Sequence, residues 1–135
     1  MKKTILLVIL LTGAFGLPKA KACTGITLQT IDSQIITART IEWAAEPLNM
    51  MYVVVPRGLK QRSWLPDGTL HGKKFNAEYG YVGIAVENDE FIMEGINEVG
   101  LAAGLFYFPD YGEYMPYKDE DKPMCVSDMQ FVAWV

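Results

Sequence analysis

The chain reads as an α+β domain dominated by antiparallel strands. Two observations predict this: apolar and β-branched runs of strand length recur between short turn-forming clusters, and a helix-start pattern follows near residue 127. Thr24–Ile31 and Ile35–Ile41, rich in Thr, Ile and Leu, flank Asp32-Ser33-Gln34 and predict a hairpin. Met50–Val55 is an apolar run closed by Pro56-Arg57-Gly58, a predicted buried strand. Residues 56–79 are polar, hold two prolines and three glycines, and predict a long connecting loop. Tyr81–Glu87 and Phe91–Glu94 flank Asn88-Asp89-Glu90, a second predicted hairpin. Asn97-Glu98-Val99-Gly100 reads as a turn and Leu101–Phe108 as a further strand. Asp110–Pro123, with Asp119-Glu120-Asp121 in it, is expected to be a solvated loop. Met50 and Met51 are expected to pack beneath the sheet or near a pocket mouth. Over Ser127–Val135 a helix should begin, with Ser127 as N-cap and Gln130 three residues on completing a capping box. The apolar pattern is still running at Trp134-Val135 with no stop signal. The chain is therefore expected to be the N-terminal portion of a longer polypeptide.

The first 22 residues read differently. Lys2 and Lys3 precede the apolar stretch Ile5–Leu17, and Ala20-Lys21-Ala22 is a small-x-small site, the pattern of a secretory signal peptide. Cleavage after Ala22 would leave residues 23–135, enough for one domain. Cys23 would then carry both a thiol and a free α-amine. That places a nucleophile and a base on one residue, the requirement of N-terminal nucleophile chemistry.

The leader holds four lysines and no acid, so its loss takes the formal charge from −4 to −8. Such a surface is a poor match to nucleic acid phosphates and to an anionic bilayer. After the leader no apolar run approaches the roughly 20 residues a membrane helix needs. The protein is expected to be periplasmic or secreted. Cysteine occurs twice, as Cys23 and Cys125, and an exported pair could form a disulfide. The single histidine, His71, lies in a turn-rich stretch. It offers no evident zinc cluster and little prospect of a Cys–His pair.

Two blocks carry a resemblance. Cys23-Thr24-Gly25-Ile26-Thr27-Leu28 followed by Ala38-Arg39-Thr40-Ile41-Glu42-Trp43 is one. Gly95-Ile96-Asn97-Glu98-Val99-Gly100-Leu101-Ala102-Ala103-Gly104-Leu105 followed by Phe106-Tyr107-Phe108-Pro109 is the other. In content and spacing they resemble the choloylglycine hydrolase family, which includes bile salt hydrolases and penicillin V acylases. The resemblance implies an N-terminal nucleophile hydrolase, with residues 23–135 forming the N-terminal part of an αββα sandwich. It implies a small-molecule amide substrate and no cofactor, and it allows a homo-oligomer in the full-length enzyme. By the same resemblance Cys23 is the nucleophile and Arg39 the arginine beside it. Glu42 falls where many members have an aspartate touching the catalytic amine. Tyr107, or Phe106, falls near a position that is asparagine in many bile salt hydrolases and tyrosine in penicillin V acylases. Trp43 is a candidate for the acyl pocket. A later asparagine and a later arginine of the family lie past residue 135, so this portion alone is expected to be inactive or unstable.

The chemistry asks for these residue types. A free thiol titrates at about 8.5 and an α-amine at roughly 7.7–8.0, so the amine can take the thiol proton. A close arginine lowers an acid's pKa by about 1–3 units. Arg39 and Glu42 are three apart and would point to opposite faces of a strand. Both reach one site only if the strand ends or bends near Thr40. Two other readings stay open on sequence grounds. One is a non-catalytic exported module lipidated at Cys23, although Ala20 stands where lipoprotein signals usually carry Leu. The other is a small domain held by a Cys23–Cys125 disulfide.

Overall fold

The structure, a computed structural model, describes residues 23–43, 47–108 and 111–135. The expected leader lies outside the described residues. Eight antiparallel strands form three sheets, with one short α-helix among the described residues. β1 (Gly25–Gln29) and β2 (Ile35–Arg39) make a ribbon with Gly25 opposite Arg39. Its turn is held by Thr30, whose hydroxyl takes the Gln34 N–H at 2.9 Å, and by Ser33 in the left-handed region at φ 65°.

The main sheet has the order β3-β6-β7-β8, from β3 (Met50–Val55), β6 (Tyr81–Val86), β7 (Asn88–Asn97) and β8 (Ala102–Gly104). One face carries the core. Ile92 and Ala85 are fully buried there with Phe75, Val132 and Ala133, and Met51, Val53, Tyr81, Ala103 and Leu105 pack around them. Val132 and Ala133 belong to α1 (Phe131–Trp134), which lies against β7. Alternation along β3 sends Tyr52 and Val54 to the other face, where they are largely exposed beside Val82 and Ile96. Met50 follows them outward, while Met51 alone joins the core. The expectation for the methionine pair thus holds for Met51 only, because adjacent strand residues face opposite ways.

Three further expectations need correction. The turn of the second hairpin is at Glu87 (φ 63°), not at residues 88–90. Asp89, Glu90 and Phe91 instead bulge out of β7, whose register jumps from Ile92↔Ala85 to Asn88↔Val86. The bulge reaches Trp64: its indole N–H donates to Glu90 at 2.7 Å and its ring meets Phe91 edge-on. Residues 56–79 are not all loop, since β4 (Lys60–Arg62) and β5 (Lys74–Asn76) pair within them. The strand expected over Leu101–Phe108 closes after Gly104. Beyond it, Arg39 intrudes on the sheet edge and takes the carbonyls of Met93 and Leu105.

Asn97–Gly100 does form the expected turn. The Asn97 side-chain oxygen accepts from the Val99 and Leu101 N–H groups, and Gly100 takes φ 88°, which a side chain would disfavour. Over 111–124 every residue is exposed except Lys122, although Asp119–Met124 coils into a 3-10 helix.

Ser127 caps as expected, its hydroxyl accepting from Met129 N. Gln130 does not complete the box. It is fully buried, and its amide bridges two groups of the β4 segment, accepting from Trp64 N at 2.8 Å and donating to Arg62 O at 3.2 Å. Removing that amide strands a backbone donor and acceptor away from water. Gln130→Ala is expected to lower stability by about 1–3 kcal/mol, read as a drop in the denaturation midpoint.

Candidate active site

Cys23 stands just before β1, and the open end of the ribbon fixes it beside residues 40–42. Thr24 N donates to the Thr40 hydroxyl at 3.0 Å, and Thr40 N donates back to Thr24 O at 2.9 Å. The Cys23 thiol lies 3.7 Å from the Glu42 carbonyl oxygen. β2 ends at Arg39, so the chain is free to turn at Thr40. The opposite-face objection to Arg39 and Glu42 therefore falls away.

Arg39 is the most connected side chain of the region. Its guanidinium donates to Met93 O at 3.0 Å, to Leu105 O and to Thr40 O at 3.2 Å. It also lies 4.4 Å from the centroid of the Phe106 ring. These contacts tie the ribbon to the edge of the main sheet and set the Phe106–Tyr107 segment against Cys23. The position of Phe106 explains Gly25: a β-carbon there would fall 2.5 Å from the ring's Cζ, inside contact distance. Gly25→Ala is expected to push Phe106 off the guanidinium, with a stability loss of about 1 kcal/mol measurable by chemical denaturation.

Trp43 stacks on Tyr107 with ring centroids 6.1 Å apart and planes 25° from parallel. Cys23, Arg39, Glu42, Trp43, Phe106 and Tyr107, all six residues singled out from sequence, line one pocket of about 80 Å³. Four others in it carried no sequence signal: Met93, Tyr114, Asp128 and Met129. Tyr114 and Asp128 sit in stretches that read as solvated loop and helix start, and only the tertiary fold brings them here. Two larger spaces, about 240 Å³ beside α1 and about 410 Å³ on the open sheet face, hold no cysteine.

Burial pushes the Cys23 thiol's pKa up, but backbone hydrogen bonds from Glu42 and Tyr107, then a hydrogen bond and the positive charge of Arg39, outweigh it and hold the pKa below the ordinary thiol value. Glu42 lines the pocket, and its carboxylate makes no hydrogen bond among the described residues. Cys23 and Cys125 are both free thiols, not a disulfide. His71 is exposed and lines none of these pockets. Among the described residues no group of three or more His, Cys, Asp or Glu could hold a metal ion, and no helix is long and apolar enough to cross a membrane.

The family model for linear amide C–N hydrolases of the choloylglycine hydrolase family matches residues 23–135, starting at the cysteine of this pocket. The chain belongs to the choloylglycine hydrolase family. No solved structure matches it. The mostly antiparallel sheets with one short helix agree with a portion of the α+β N-terminal nucleophile hydrolase fold. Linear-amide C–N hydrolysis is the activity this family carries.

Proposed function

We propose that the protein hydrolyses a linear amide in the periplasm or outside the cell, with Cys23 as an N-terminal nucleophile exposed by removal of residues 1–22. The observation that carries this reading is the Cys23 thiol itself. It shares one pocket with Arg39, Glu42, Trp43, Phe106 and Tyr107, and its pKa is lowered there.

The α-amine of processed Cys23 takes the thiol proton, and Arg39 favours the resulting thiolate. Sulfur attacks the amide carbonyl, and the carbonyl π electrons move to oxygen. In this reading backbone N–H groups and the Tyr107 phenol hold that oxyanion, a single donor being worth roughly 3 kcal/mol. As the C–N bond breaks, the protonated amine gives its proton to the leaving nitrogen, which departs as the free amine. Water, deprotonated by the same amine, then attacks the thioester, releasing a carboxylic acid and restoring the thiol. Glu42 orients the α-amine through its carboxylate, with a longer reach than the aspartate found in many relatives. The Trp43–Tyr107 stack offers an apolar surface to the acyl part. The substrate accordingly has a bulky apolar acyl group and a small polar amine. Conjugated bile salts, penicillin V and N-acyl homoserine lactones share that form, and Tyr107 inclines the reading toward the penicillin V type.

Trapping tests it. The protein expressed from its full reading frame is mixed with each substrate type, quenched in acid and digested. A mass increment equal to the acyl group on the Cys23 peptide is expected. Turnover with no acyl adduct on Cys23, or a diacylglycerol adduct there in the exported protein, would overturn the assignment.

A further inference from the structure

Residues 111–118 reach the pocket through one side chain, Tyr114. Among the described residues the only hydrogen bond tying residues 113–117 to another part of the chain runs from the Tyr114 phenol to Asp128 Oδ2, at 2.8 Å. Apolar burial does not hold the segment, since Met115 and Tyr111 are about nine-tenths exposed. Asp128, in contrast, is well anchored. Its other oxygen accepts from Met129 N at 2.8 Å and from the Ser127 hydroxyl at 3.3 Å, in a turn whose next residue is the buried Gln130. Both Tyr114 and Asp128 line the Cys23 pocket, as does the stacked Tyr107. The hydrogen bond to the carboxylate, with partial burial, also raises the phenol's pKa and keeps its proton in place.

We propose that Tyr114 is a specificity-determining residue, a wall limiting the size of the group that reaches Cys23, and that Asp128 is the positioning residue that holds this wall. The pocket volume, about 80 Å³, lies well below the roughly 300 Å³ at which small-molecule sites begin. A bulky acyl group therefore needs part of the lining to give way, and Tyr114, 77% exposed and held by one hydrogen bond to Asp128, is where it can. The inference rests on the amidase reading for its biological meaning, but a size filter acts on any reagent that approaches the thiol.

Alkylation of Cys23 tests it without turnover. The protein from its full reading frame is treated with iodoacetamide and, separately, with an N-naphthyl iodoacetamide. Rates at Cys23 and at Cys125, which lies outside the pocket, are read by peptide mass spectrometry. The wild type is expected to disfavour the bulky reagent at Cys23 relative to Cys125. Asp128→Ala, Tyr114→Phe and Tyr114→Ala are each expected to raise the bulky-to-small ratio at Cys23 about fivefold, as loss of one hydrogen bond to a charged group allows. The Cys125 ratio should not move. Combining Asp128→Ala with Tyr114→Phe should add nothing further, because both break one bond. A lower melting temperature with an unchanged Cys23 ratio would reduce the pair to a scaffold contact and overturn the proposal. A rise with Tyr114→Ala but not with Asp128→Ala or Tyr114→Phe would overturn the positioning role. If the wild type hydrolyses no amide, the amidase reading fails, and the alkylation ratios still decide this one.

Discussion

Cys23→Ala is expected to abolish amide hydrolysis, with kcat reduced by about 10⁴-fold or more, as removal of a covalent nucleophile does elsewhere. The fold should survive, since Cys23 is only partly buried and lies outside the strand ladders and the main core. Cys23→Ser is the sharper variant because it keeps the shape and a hydroxyl. With an alcohol in place of the thiol, the charge and hydrogen bonds of Arg39 and the backbone have a far weaker acid to ionise. Its rate should stay within about tenfold of Cys23→Ala, and circular dichroism and the denaturation midpoint should match the wild type for both. Activity retained by either would mean that another group attacks the carbonyl.

Arg39→Ala should act on two levels. The guanidinium favours the Cys23 thiolate by charge and hydrogen bonding, so its loss raises the thiol pKa. Because the native pKa is depressed, thiolate-dependent alkylation of Cys23 should rise with pH at lower pH in the wild type than in the variant. A profile of iodoacetamide rate against pH reads the shift directly. The same substitution leaves the Leu105 carbonyl without its partner and frees Phe106 from its stacking contact, which should lower stability by about 1–3 kcal/mol. Arg39→Lys would keep the charge. A single ammonium cannot reproduce the several carbonyl bonds and the ring contact, so it should rescue the pH profile better than the stability.

The legible parts of the fold were those set by local chemistry. The first ribbon, β3 and the Asn97 turn follow from strand-forming residues bounded by side chains that make their own turns. The six site residues were legible through the two sequence blocks. Gly25 in the first block has a visible reason, the nearness of Phe106 from the second. What stayed hidden depends on partners far along the chain. Gln130 looks like a capping residue until Trp64 and Arg62 arrive, sixty-six and sixty-eight residues earlier. The β4–β5 ribbon hides in a polar, glycine-containing stretch because Gly72 is needed for space. A β-carbon there would meet the Ser63 and Cys125 carbonyls at 2.8 Å. Tyr114 and Asp128 are fourteen residues apart, one in a stretch that reads as solvated loop and one at the polar start of a helix, so nothing local points them at one cavity. Periodicity could report that β3 has two faces, but not that Met50 lies on the open one.

The account stands on one residue supplying both the sulfur and the proton-accepting nitrogen. Amino-terminal sequencing of the exported protein, read together with its intact mass, tests this most directly. The prediction is a single sequence beginning Cys23-Thr24-Gly25 and a mass with no lipid or acyl addition. A first residue at any other position, or a blocked amine on Cys23, would contradict the mechanism.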